Sequence, residues 1–234
     1  MKKILFSLLA LVASMSMNAQ VMKVMKNGVE VAKYNGAEYS VVFEEAQGST
    51  TTGTAAATGI GNVGWVQLWT DGPKFAEFNV GVTDGKAESY GGYYAWGGSQ
   101  GKVDDHNTGT VDLTGDADTA TKLWGSAWRM PTLRELYALS ENCDVEWTAV
   151  NGVNGRKFTG KGDYASNSVF LPAAGYCYLG GVYDQGDQGR NGYYWSSTHG
   201  VSGSAYLLYF DSAAPYDFNS TRRYGYSVRA VLAE

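Results

Sequence analysis

Apolar positions recur along this chain at two periods, and together they predict one short helix among many short strands. The helix falls in Trp124 to Ser140, WGSAWRMPTLRELYALS. Thr132 followed three positions later by Glu135 is a capping box: the threonine hydroxyl accepts from the Glu135 amide, and the glutamate accepts from the Thr132 amide. Behind the cap, Leu133, Leu136, Tyr137 and Ser140 recur at three- and four-residue spacing, predicting a buried stripe with Arg134 and Glu135 in solvent. Pro131 holds Met130 extended, so the chain enters from a strand or loop. The pattern ends near Asn142. An isolated helix of about ten residues is marginal in water, so this stripe needs a larger body to bury it.

Elsewhere the runs are short. VMKVMK and VEVAKY flank Asn27-Gly28, a pair suited to the positive φ angles of a two-residue hairpin turn, and EYSVVF follows. These strands predict a small β module over residues 20–46, too small to be stable alone. Residues 47–62, which include QGSTTTGTAAATGIG, carry little apolar bulk and predict a flexible linker. The main domain is then 63–234. It opens with WVQLWT, a turn at Asp71-Gly72-Pro73 and KFAEFNV, a hairpin that puts Phe75 and Phe78 on opposite faces, followed by the glycine-crowded strand YGGYYAWGG. Gln100 to Ala120, with Asp104, Asp105, Asp112, Asp116 and Asp118, predicts a polar surface excursion.

After the helix, VEWTAVNG, a turn within Asn151 to Gly155, RKFTG, SVFLPAAGYCYLGGVYD, NGYYWSST, SAYLLYF and YGYSVRAVL predict strands separated by turn residues. In AYLLYF, Tyr206, Leu208 and Phe210 alternate with Leu207 and Tyr209. Apolar residues on both faces predict a strand covered on each side, or one side used as a contact surface.

Composition strengthens the β-rich reading: Gly 31, aromatic 14% and only Pro 4 suit short strands joined by glycine turns, with tyrosine supplying packing area. Lys2 and Lys3 before the apolar run Ile4 to Ala13, with small residues up to Ala19, predict a secretion signal over residues 1–19. Gln20 after the predicted cut argues against a lipid anchor. The expected location is extracellular or the outer cell surface, with the periplasm as the alternative. No other stretch approaches the roughly 20 apolar residues of a membrane span. With the leader gone, 16 basic residues face 23 acidic ones, so the formal charge goes from −5 to −7. Clustered Lys and Arg for phosphate are missing, which excludes nucleic acid as the expected partner.

Literal motif matches fail on context. Gly59 to Gly64 fits GxGxxG but leads into WVQLWT rather than a helix, so no dinucleotide is expected. Gly97 to Gly101 fits GxSxG but continues as polar loop. His106 and His199 have no neighbouring pattern that supplies a partner, and Cys143 or Cys177 as a nucleophile needs a histidine placed by the fold. Those two cysteines form a disulfide or are two buried thiols. Asp112, Asp116 and Asp118, or Asp184 and Asp187, lack the spacing of a calcium loop, so no metal and no cofactor is expected. Asn219-Ser220-Thr221 fits a glycosylation sequon. The late loops, HGVSGS and SAAPYDFNSTRRY, mix Tyr, Ser, Asn, Gly and Arg as recognition surfaces do.

The ordered blocks GPKFAEFNVG, YGGYYAWGG, WGSAWRMPTLREL, ENC, NGVNGRKFTG, VFLPAAGY, GYYWSST, AYLLYF and GYSVRAV, from about Trp65 to Val231, resemble the Fibrobacter succinogenes major paralogous domain of secreted and surface proteins in Bacteroidetes. The resemblance implies an α+β, β-rich, C-type-lectin-like fold: a twisted antiparallel sheet, one or two short helices and long loops, here preceded by the small β module. Calcium-dependent lectins of that fold use EPN or QPD with WND, and none of the three occurs here. The RGGS block of the related formylglycine-generating enzymes is also missing. In relatives diversified by retroelements the ligand-facing residues correspond to Thr198 to Tyr224.

The expectation is therefore an exported, non-catalytic binding or adhesion module that recognises a glycan or surface protein through Tyr183, His199, Tyr209, Tyr216, Asn219, Arg222 and Arg223. The alternative is a fimbria-associated or structural envelope protein using the strands of Val21 to Phe43. A carbohydrate-active enzyme ranks third, with Asp184, Asp187, Asp211 and Asp217 as its candidate carboxylates.

Overall fold

Strands far outweigh helices among the described residues, so the fold is β-rich α+β. The computed structural model describes residues 2–7, 21–26, 29–35, 39–44, 51–102, 106–178 and 184–233. The chain divides after Thr50 into two units.

The N-terminal unit contains β1 (Lys2–Ser7), β2 (Val21–Lys26), β3 (Val29–Asn35) and β4 (Tyr39–Glu44). β2 and β3 pair antiparallel, as the hairpin pattern predicts, and β4 pairs in parallel with β1. β1 falls within the expected leader; the rest of residues 1–19 and the Asn27-Gly28 turn lie outside the described residues.

The C-terminal unit begins with β5 (Thr52–Ala57), β6 (Gly61–Gln67) and β7 (Lys74–Ala76), then runs without regular strands to α1 (Thr119–Trp124) and β8 (Trp128–Arg129). Next comes α2 (Leu133–Asn142), followed by β9 (Asp144–Val150), β10 (Val153–Thr159), β11 (Ser168–Pro172), β12 (Tyr176–Tyr178) and β13 (Asp184–Gly186). The chain closes with β14 (Gly192–His199), β15 (Ser204–Phe210), β16 (Pro215–Thr221), β17 (Tyr224–Gly225) and β18 (Val231–Leu232). Their sheets run β5-β6-β7-β18-β8, β11-β10-β9, β14-β15-β16 and β13-β12-β17. All of these pairings are antiparallel.

The predicted linker is corrected first: Thr52–Ala57 is a strand, registered against Gly61–Gln67. Its small residues serve packing. At Gly53 an added Cβ would stand 2.6 Å from the Trp65 ring, so glycine lets the indole lie across the strand. The unit boundary after Thr50 falls within the expected 47–62 stretch, whose remainder from Thr51 belongs to the C-terminal unit.

The capping box forms as expected, with the Glu135 amide donating to Thr132 Oγ1 at 3.2 Å and the Thr132 amide to Glu135 Oε2 at 2.7 Å. Arg129 adds a two-pronged bond to the same carboxylate at 2.8 and 2.7 Å, which draws Glu135 partly out of solvent. The buried stripe is shifted from the predicted one: Leu136 and Leu139 are fully buried, whereas Tyr137 is 41% exposed. They pack with Phe158, Leu171, Leu208 and Phe210.

The polar excursion is also more structured than expected. Asp118 is buried and caps α1, accepting from Ala120 and Thr121 N–H at 2.8 and 3.0 Å and from Met130 N–H at 2.8 Å. Desolvation pushes its pKa up against the pull of those three donors.

Two apolar cores flank the central strands. Leu207, Trp195 and Phe78 belong to one core with Trp65, Trp96 and Trp128. Leu208, Tyr194 and Phe75 belong to the other. The alternation read in AYLLYF and KFAEFNV is thus realised, and β15 is covered on both sides. Arg229, fully buried, ties the layers together by donating to Asn79 Oδ1 and to the carbonyls of Ala76 and Phe170, each at 2.9 Å.

Candidate functional site

The short strands β12 and β17 carry the same Tyr-x-Tyr pattern, Tyr176 with Tyr178 and Tyr224 with Tyr226. Residues two apart in a strand share a face, and the register sets Tyr178 opposite Tyr224 and Cys177 opposite Gly225. Cys177 is buried on the other face, beside Tyr93, Ala95 and Ala174.

Tyr193, from β14, joins this group because the Ser227 amide donates to its carbonyl at 3.0 Å. The rings of Tyr224, Tyr226 and Tyr193 form a parallel stack, with centroid spacings of 5.7 and 5.0 Å. Tyr176 stands perpendicular to both outer rings, 5.8 Å from each. Cross-strand pairing extends the series to Tyr209, 5.0 Å from Tyr193, and to Tyr216, 4.9 Å further on.

Four of these tyrosines, Tyr176, Tyr193, Tyr224 and Tyr226, border an open cleft of about 640 Å3. Asp187, the turn Ser202 to Ser204 and the Phe218 to Thr221 stretch of β16 complete its lining. Its volume lies within the roughly 300–1,000 Å3 usual for small-molecule sites. Tyr193 donates to Asp187 Oδ2 at 3.1 Å, and Ser220 Oγ lies 2.9 Å from the Tyr226 hydroxyl. Burial raises the pKa of both phenols, which keeps them protonated in these contacts.

Two glycines make room for this arrangement. Gly175 has φ +66, and a Cβ there would collide with the Gly186 carbonyl and come within 2.7 Å of the Gln188 amide. At Gly186 a Cβ would meet the Tyr176 ring at 2.6 Å. Only backbone without side chains lets the Asp187 segment pass this close.

Of the residues expected to contact ligand, Asn219 is exposed and lines the cleft. Tyr209 and Tyr216 lie on the extension of the tyrosine series, and both donate toward Asp211 Oδ2, at 3.5 and 3.3 Å. The Ala213 amide, ahead of the other donors, holds the Asp211 carboxyl below its ordinary pKa. Arg223 is exposed but is not part of the lining. Tyr183 lies outside the described residues.

Arg222 and His199 are differently placed from the expectation. Arg222 is only 3% exposed; its guanidinium donates to the carbonyls of Ser204 at 2.8 Å, Asn107 at 3.0 Å and Gly109 at 2.5 Å, and it lies 4.2 Å over the Trp96 ring. Those bonds consume the side chain, which is therefore a brace between loops. His199 sits outside the lining and pairs through Nδ1 with Asp112 Oδ1 at 2.6 Å.

Sequence reading missed Tyr176, Tyr193 and Tyr226 as site residues, reached Tyr224 only as the end of the Thr198 to Tyr224 stretch, and named Asp187 only as a candidate carboxylate. The signal for four tyrosines was present: Tyr-x-Tyr in YCY and YGY, each placing two rings on one face. Their convergence on Tyr193 depends on pairing between distant strands.

Cys143 and Cys177 are both buried, in separate clusters, and no disulfide joins them. Burial lifts the Cys143 thiol to a pKa of about 12, which suits an inert core residue. Among the described residues no three His, Cys, Asp or Glu side chains converge as a metal site would require. Asp187 is the single carboxylate among the described lining residues. No helix among the described residues is long and apolar enough to cross a membrane.

A family model described as a domain of unknown function (DUF8237) matches residues 144–231, a stretch that contains the described cleft-lining residues. No curated protein and no solved structure matches the chain.

Proposed function

We propose that the C-terminal unit is a non-catalytic binding module of an exported, surface-associated protein, and that its ligand, a glycan or a surface protein, seats in the tyrosine-lined cleft. The observation that carries this reading is the cleft itself. Four tyrosines from three separated strands meet there, beside hydroxyl and amide side chains on β16 and the 202–204 turn. Aromatic groups with wet polar tips supply contact area at low conformational cost, as paratopes do. The single carboxylate among the described lining residues is a poor basis for acid–base cleavage of a glycosidic bond.

The leader pattern supports export. A C-type-lectin-like arrangement is proposed with it, supported by antiparallel sheets, two short helices and the long passage between β7 and α1 without regular strands. The test is retention of the full chain on a glycan array and on immobilised envelope proteins. Retention that Asn219→Ala or Tyr224→Ala removes is expected; retention unchanged by both, or none at all, sinks the reading.

A second reading, an assembly role, rests on the N-terminal unit. Its two-stranded pair β2-β3, which lies beyond the expected leader, leaves edges that a neighbouring subunit's strand can extend. A chain lacking residues 21–44 that keeps the same oligomeric state as the full chain would end it.

A further inference from the structure

Resting on the cleft as the binding site, we propose that its ligand is a neutral saccharide, held by ring stacking and hydroxyl hydrogen bonds without an ionic contact. Three features of the lining point there.

The first is charge. No Lys or Arg stands among the described lining residues, and the one ionised side chain is Asp187. In a chain of formal charge −5, a carboxylate there repels phosphorylated, sulfated or uronic-acid ligands. Of the two cations that flank the lining in sequence, Arg222 has its guanidinium turned to the Ser204, Asn107 and Gly109 carbonyls, and Arg223 is exposed outside the lining.

The second is the kind of polar group. Ser202, Asn219, Ser220 and Thr221 offer hydroxyls and an amide that both donate and accept, and Ser204, whose hydroxyl donates to the Val201 carbonyl at 2.6 Å, adds an acceptor. Asp187 takes a bond from Tyr193 and keeps acceptor capacity, since an ionised carboxylate accepts about four bonds. A polyol, in which every hydroxyl is donor and acceptor at once, matches that mixture; a purely apolar ligand would leave these groups unpaired.

The third is shape. Half-buried Tyr176, Tyr193 and Tyr224 give aromatic surface beside the polar strand, with Tyr226, 4% exposed, packed between the last two. A pyranose ring has one apolar face of C–H groups that packs on such rings, and hydroxyls around its rim that reach the strand.

Calorimetric titration of the full chain with neutral oligosaccharides, with sulfated and uronic-acid oligosaccharides, and with acidic and neutral peptides separates these ligands. Expected is binding of a neutral oligosaccharide whose Kd changes less than about twofold between 50 and 500 mM salt, because no exposed ion pair is formed. Tyr224→Ala is expected to weaken it at least tenfold, and Asn219→Ala, a surface change that leaves the core intact, about three- to tenfold, one lost hydrogen bond. Preference for charged oligosaccharides or for peptides, still abolished by Tyr224→Ala, overturns the saccharide assignment while the cleft stands. Saccharide binding indifferent to both substitutions, or no binding of any of these probes, overturns the assignment and the cleft together.

Discussion

Arg222→Ala separates a structural brace from a ligand contact. The side chain is 3% exposed and spends its guanidinium on three backbone carbonyls, at 2.5 to 3.0 Å, while stacking on Trp96. Hydrogen bonds from a charged group are worth about 1.5–3 kcal/mol each, and a desolvated cation–π contact about 2 kcal/mol. Truncation frees the carbonyls to find water in part, so the net loss is nearer 4 kcal/mol than the sum. For a unit of this size about 1 kcal/mol moves Tm by roughly 2–4 °C, which gives a fall of about 8–16 °C. Differential scanning calorimetry of Arg222→Ala beside Arg223→Ala reads it directly. Arg223, exposed in the same turn, should stay within about 0.5 kcal/mol of the parent. If Arg222→Ala melted with the parent and lost only ligand, the brace assignment would be wrong.

Three further outcomes follow from individual contacts. Burial is the largest influence on the Glu135 carboxyl and raises its pKa, but Arg129 and the Thr132 amide outweigh it and hold the group below its ordinary 4.5. Its contribution is therefore complete above about pH 4.5 and lost as pH falls through the depressed folded-state value; urea melts should show Glu135→Gln costing less at pH 3 than at pH 7, and an equal cost at both would contradict this. Gly175→Ala, which drives a Cβ into the Gly186 carbonyl at a positive φ, should destabilise by more than about 1 kcal/mol and weaken cleft binding, since Asp187 rides on that segment. Thiol titration with an aromatic disulfide should label neither Cys143 nor Cys177 in the native chain and both after unfolding, with identical mobility before and after reduction; one disulfide per chain by mass would refute the unbridged assignment.

What could be read in advance was local. Thr132 and Glu135 fix the helix start three residues apart, and alternation in AYLLYF assigns both faces of β15 without knowing its neighbours. The misreadings share a cause. Gly53 and its small neighbours look like linker because the Trp65 ring that covers them lies on the next strand. Asp118 and Arg222 look like solvent groups because their partners, Met130, Asn107 and Gly109, are 12, 115 and 113 positions away. The stripe on α2 is read one position off because Leu139 faces Phe158 and Phe210, which the helix alone does not announce. The cleft is the extreme case. Each Tyr-x-Tyr pair is visible, but the meeting of Tyr176, Tyr193, Tyr224 and Tyr226 belongs to the pairing of β12 with β17 and the bond from Ser227 to Tyr193.

The central claim is that ligand seats on those four rings. Tyrosine-labelled NMR of the full chain, with ring signals assigned by single Tyr→Phe substitutions and followed during titration with the oligosaccharide that calorimetry selects, tests it most directly. The account predicts shifts concentrated on Tyr176, Tyr193, Tyr224 and Tyr226, with Tyr137 on α2 and Tyr164 beside the separate groove of Trp69 and Lys161 unmoved. Shifts at Tyr137 or Tyr164 with the four cleft rings silent would contradict it.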